Sequence, residues 1–102
     1  MSSTITILFW RDIPAQVVAR SGRAAARRLL SPRFAEAIDM AAMRSDAKDS
    51  EAYLAEWRRS DPRPCGSAIE SEADQAASAI EAAYDDHRLS ALVKTGGREP
   101  SS

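Results

Sequence analysis

Residues 4–18 read as a strand, a tight turn and a second strand, and this constrains the fold more than any other feature of the chain. Ile5, Ile7 and Phe9 alternate with Thr4, Thr6, Leu8 and Trp10, the period of two of a β-strand. Both faces become apolar toward Trp10, which predicts a central strand covered on both sides. Pro14 fixes its own φ, removes a donor and biases Ile13 toward an extended backbone, so residues 11–14 read as the connection. Ala15 to Arg20 resumes β-favouring residues, and Ser21-Gly22 ends them. A four-residue connection suits a hairpin. The hairpin rules out an all-helical bundle, which the alanine-rich remainder would otherwise suggest. Two strands alone are marginal in water, so further elements must cover them.

Residues 23–30 have helical propensity without an apolar stripe and read as a connector of at most one helical turn. Ser31-Pro32 is a strong helix start, with Ser at the N-cap and Pro at the first helical position. Phe34, Ala37, Ile38, Ala41 and Ala42 then fall on one face, and the helix should end near Arg44. Residues 46–50 are a polar break. Residues 51–58 fit either period: Tyr53, Leu54 and Trp57 share a helical face, whereas Tyr53, Ala55 and Trp57 share a strand face. The strand is preferred because a third strand would support the hairpin. Pro62 and Pro64 make residues 61–66 a loop. Ser67 and Glu70 have the spacing of a capping box. Ile69, Ala73, Ala76, Ile80, Ala83 and His87 follow on one helical face. Asp85-Asp86 can interrupt that helix and cap a short one through Leu89, Leu92 and Val93, which Gly96-Gly97 stops. Residues 98–102 are expected to fray as a disordered tail, and no internal repeat is present.

These elements predict an α+β domain over residues 1–97: a small, largely antiparallel sheet of two or three strands, opened by the N-terminal hairpin. Two main helices pack on it in ββα(β)α order. A chain of 102 residues is one domain with one core. At 44% hydrophobic and 28% charged it is ordinary globular sequence. Much of the apolar share is alanine, so the core should rest on Phe9, Trp10, Phe34, Tyr53, Leu54, Trp57, Ile80 and Tyr84.

Charge is unevenly spread. Residues 1–48 hold 8 Lys/Arg against 4 Asp/Glu, and residues 49–102 hold 6 against 11. The two halves can attract each other within a monomer or between two copies in a homodimer. The single cysteine forbids an internal disulfide and fits a reducing cytoplasm. No apolar run approaches the roughly 20 residues that cross a bilayer, and Met1 to Thr4 lacks the pattern of a signal peptide.

Four places carry candidate chemistry. Cys65 precedes Gly66 and the expected helix start at Ser67, where a helix dipole and Arg63 would favour thiolate. The alternative is a half-buried cysteine acting as a small apolar group. One Cys and one His argue against a four-ligand zinc site or a complete cluster site within a monomer, and no cofactor is implied by the residues. His87 would lie at the far end of a helix from Cys65, which argues against a Cys–His pair. Arg20, Arg23, Arg27, Arg28 and Arg33 form a basic stretch with no acid among residues 13–35. It could track a phosphate backbone. It lacks interleaved aromatics, however, and equally suits an acidic protein surface. Trp10, Arg11 and Asp12 include residue types enriched in binding hot spots; the alternative is that Trp10 is core and Arg11 pairs with Asp12 across the turn. Phosphate-binding glycine loops and nucleophile elbows are absent.

Four segments together resemble a small bacterial family of virulence-factor domains. They are Ile5 to Val18, containing Trp10-Arg11-Asp12-Ile13-Pro14-Ala15-Gln16; Leu30 to Arg44; Tyr53 to Arg59; and the acidic alanine-rich helix ending Tyr84-Asp85-Asp86. The resemblance spans about residues 4–95. It implies an accessory or scaffold module. Similar regions occur alone and also beside a domain like the N-terminal part of Nfu iron–sulfur scaffolds and beside HEAT-like repeats. It implies no catalytic residues, and the family name records a phenotype rather than a chemistry.

The expected function is therefore a non-enzymatic module that binds another protein through the hairpin end (Trp10, Arg11, Asp12) and the arginine stretch. An iron–sulfur or other metallocofactor enzyme system is the implied setting. A small redox or sulfur-carrying protein using Cys65 is the alternative. Nucleic-acid binding through Arg20 to Arg33 is the third.

Overall fold

The opening hairpin is longer and tighter than expected. The computed structural model describes residues 3–45 and 49–99. In it, β1 (Ser3–Trp10) pairs antiparallel with β2 (Ile13–Ser21) across a two-residue turn, Arg11-Asp12. Pro14 lies inside β2 rather than in the connection. It is tolerated because Leu8 faces Gln16 while Phe9 faces Pro14, leaving Ala15 as the extra residue of a bulge. Arg11 takes the left-handed conformation, at φ 53°.

Residues 23–30 are a strand rather than a connector. β3 (Ala24–Leu29) pairs antiparallel with β2, from Ser21 opposite Ala24 to Gln16 opposite Leu29. Gly22, at φ 60°, supplies the positive dihedral that the second tight turn requires. Ala26 is buried under a helix while Arg27 is exposed, so tertiary packing overrides the helical propensity of this alanine-rich run.

Residues 51–58 divide between the two expectations. Asp49 caps a short helix, α2 (Ser50–Ala55), by accepting the Ala52 N–H, and β4 (Trp57–Arg59) follows. The proline loop contains a further strand, β5 (Arg63–Cys65). Both pair antiparallel with β1 along one edge. Leu8 faces Arg59 and Ile5 faces Arg63, so three steps on β1 match four on its partner. They are in effect one strand broken by a bulge. Ser60 stitches the break, its N–H donating to Ile7 O and its Oγ accepting the Ile7 N–H, both at 2.9 Å. Pro64 is accepted because this is an edge strand. The sheet thus has five strands in the order β3-β2-β1-β4, with β5 also on β1. The expected two or three strands fell short because β3 and β5 were not recognised.

Of the helices, α1 (Pro32–Arg44) starts and ends where the sequence places it. Ser31 does not cap it through its side chain. Instead the Glu81 carboxylate accepts the Ser31 N–H at 2.6 Å and its hydroxyl at 2.8 Å. α3 (Ile69–Ala83) begins without the expected capping box, because Glu70 reaches Arg28 rather than back to Ser67. The chain breaks at Tyr84, and Asp85 caps α4 (Asp86–Lys94) by accepting the Arg88 N–H at 2.8 Å. Ala83 and His87, expected on the buried face, are exposed because of this break.

Two clusters form the core. On one sheet face Ile5, Val17, Ala19 and Ala26 pack against Ile69 and Ala73 of α3. By the alternation of β1, Trp10 projects from the opposite face. There it joins Ile13, Phe34, Ile38, Leu89, Leu92 and Val93 under α1 and α4. Trp10 and Phe34 are the large buried side chains among the expected core. Phe9, Tyr53, Trp57, Ile80 and Tyr84 are half-buried. Leu54 is 64% exposed, since α2 has no buried residue.

Candidate functional site

The Trp10-Arg11-Asp12 turn is a joint between three parts of the chain. Trp10 is 0% exposed, and its indole N–H donates to Tyr53 O at 2.9 Å. Its ring stacks on Tyr53 with centroids 5.6 Å apart. Arg11 is only 12% exposed at the side chain; it donates to Gly96 O at 2.9 Å and to Glu56 Oε1 at 3.1 Å. Its guanidinium also lies 5.0 Å from the Trp10 ring centroid. Asp12 donates its N–H to Gly97 O at 2.8 Å and binds Arg58 at 3.1 Å. Arg11 and Asp12 therefore pair with other segments rather than with each other. The buried ring of Trp10 offers no surface to a partner, which corrects its place among the contact residues. The expected tail takes part as well: the Glu99 N–H donates to Asp12 Oδ2 at 2.6 Å and Arg98 reaches Glu56 at 3.3 Å.

The arginine stretch splits in two. Arg28 binds Glu70 at 2.6 Å and Asp74 at 2.5 Å, both on α3. These hydrogen bonds hold its pKa above the ordinary value. Arg33 binds Glu81 at 3.0 Å, Asp86 at 3.2 Å and Tyr84 O at 2.5 Å. Burial alone would raise the Glu81 carboxyl, but the Ser31 N–H and hydroxyl with Arg33 bring its pKa below the ordinary value. Part of the charge asymmetry of the sequence is thus neutralised within the monomer. Arg20, Arg23 and Arg27 are exposed, and among the described residues they form no ion pair.

Strand geometry explains the split. Arg27 faces Val18 and Arg28 faces Val17, so the two adjacent arginines project from opposite faces of the sheet. Arg28 lies on the face that α3 covers. Arg27 lies on the other, with Arg20 and with Arg59 of β4. With Thr6, Leu8, Gln16 and Val18 these three arginines line a shallow concavity of about 50 Å³, to which no helix contributes a residue. Leu29, 80% exposed, extends the same face. The sequence reading missed Arg59, which only the β1–β4 pairing brings beside Leu8.

Cys65 does not lie at a helix start. It is half-buried in β5 opposite Ser3, and α3 begins at Ile69. It borders an open depression with Arg63 and Glu72. His87 is exposed in the first turn of α4. Tyr53 and Tyr84 have pKa values pushed up chiefly by burial, so neither supplies a phenolate near neutral pH. Among the described residues no cluster of His, Cys, Asp or Glu could hold a metal ion. None of their helices is long and apolar enough to cross a membrane. A wider groove of about 540 Å³ runs between α1 and α4, edged by Met40 and by Met43, which is 71% exposed.

A family model described as Virulence factor matches residues 8–93. No curated protein and no solved structure matches the chain.

Proposed function

The chain belongs to the virulence-factor family, and on that premise we propose that it is a non-enzymatic accessory module that docks a protein partner on the open face of its sheet. The observation that carries this reading is the set of arginines that form no ion pair among the described residues, Arg20, Arg27 and Arg59, around half-buried Leu8 and Val18. Arginine beside apolar area is the composition of interface cores rather than of ordinary solvated surface. Arg23 in the turn after β2 and exposed Leu29 widen the patch. Arg11 and Asp12 support it indirectly, by fixing the hairpin that presents it. The partner surface is acidic, and the setting is an iron–sulfur or other metallocofactor enzyme system, the company in which similar regions occur.

The test is affinity purification of the tagged chain from its host, beside the variants Arg20→Gln/Arg27→Gln/Arg59→Gln and Cys65→Ser. A stoichiometric protein should be captured by the wild type and by Cys65→Ser and lost from the triple variant. Capture that survives the triple variant, or is lost with folded Cys65→Ser, overturns the reading.

A further inference from the structure

We propose that the concavity between Arg20, Arg27 and Arg59 is a receptor for a single phosphate group. The inference rests on the docking reading of this face and adds the chemical group that enters it. Three strands bring three arginine side chains to the lining of one small space: Arg20 from β2, Arg27 from β3 and Arg59 from β4. Among the described residues no carboxylate lines that space or pairs with any of the three. Like charges so placed repel one another, and an anion between them relieves the repulsion. Thr6 and Gln16 on the floor add a hydroxyl and a carboxamide donor.

Size and charge narrow the ligand. A volume of about 50 Å³ holds a few water-sized sites at roughly 10–15 Å³ each. That matches the size of one oxyanion. Three formal positive charges match a phosphate dianion better than a carboxylate, and the guanidinium fork suits its oxygens. The phosphate can be that of a free small molecule or that of a phosphorylated side chain on the docked partner; the receptor chemistry is the same.

The experiment is a titration of the isotope-labelled chain with sodium phosphate, followed by amide shifts at constant ionic strength, with sodium acetate in parallel. Saturable shifts at Thr6, Gln16 and Val18 are expected with phosphate. They should weaken about tenfold for each arginine removed in Arg27→Gln and in Arg27→Gln/Arg59→Gln. Equal responses to phosphate and acetate, or shifts that persist in the double variant, overturn the proposal. Phosphoserine binding more tightly than inorganic phosphate assigns the group to a partner side chain, and equal affinity assigns it to a free phosphate. Both results uphold the receptor. Failure here is distinct from failure of the docking reading. Partner capture lost from the triple variant without phosphate binding leaves docking intact. Phosphate binding with capture unaffected by the triple variant removes docking and keeps the receptor.

Discussion

Arg27 and Arg28 are neighbours in sequence and opposites in the fold. Arg28 is held against α3 by two carboxylates, while among the described residues no acid lines the concavity that Arg27 borders. The contrast extends to the whole sheet. One face is closed by α3, with Ile5, Val17, Ala19 and Ala26 beneath it. The other is closed only at its Trp10 end, by α1 and α4, and is open from Leu8 onward. A period of two lets one strand serve a helix-covered, ion-paired face and an open cationic face at once. The closed regions carry the core, and the open one is where docking is proposed.

Substitutions can break that division. Trp10→Ala should have the largest effect, a loss of about 3–5 kcal/mol measured by chemical denaturation, because the ring is fully buried. A loss below about 1 kcal/mol would mean that the turn end is not core. Gly97→Ala comes next, at about 1–3 kcal/mol. Its φ is +94° and an added Cβ would lie 2.9 Å from the Trp10 ring. An unchanged unfolding midpoint would show that the joint is looser than described.

Acid should act through Glu81. Its folded pKa is lowered, so its contribution is complete above the ordinary carboxylate range and is lost as pH falls through the folded value. The midpoint of thermal unfolding should therefore drop in acid for the wild type, and that part of the drop should vanish in Glu81→Gln. Identical pH profiles would remove the carboxylate from the start of α1. The smallest effect is the sharpest comparison. Arg28→Gln should lower the unfolding midpoint slightly, and Arg27→Gln should leave it unchanged while weakening phosphate binding. Equal stability losses would erase the distinction between the faces.

Much of this division was legible in the sequence wherever a local signal agreed with the tertiary outcome. Pro32, Asp85 and Gly96-Gly97 mark helix ends through covalent and capping geometry, and the structure follows them, although Ser31 turns its side chain to Glu81. Ala24 to Leu29 misled because alanine and arginine favour helix, and only burial of Ala26 under α3 shows the strand. Ser67 and Glu70 misled because an ion pair to Arg28, 42 residues away, displaced the local box. The candidate site shows the same limit. Arg20 and Arg27 were visible as cations without nearby acids. Their separation from Arg28 required the strand period, and Arg59 joined them only through pairing across β1.

The outer edge of β3 has a consequence of its own. It closes one side of the sheet in the order β3-β2-β1-β4, so its outward backbone groups are a template for another strand. Arg27 and Arg28 are the charges of that edge; Arg28 is balanced by Glu70 and Asp74, so two chains stacked there would bring their two Arg27 charges together. The charge that marks the open face therefore also stands against edge-to-edge pairing. Neutralising Arg27 should shift the protein toward self-association at concentrations where the native chain stays dispersed.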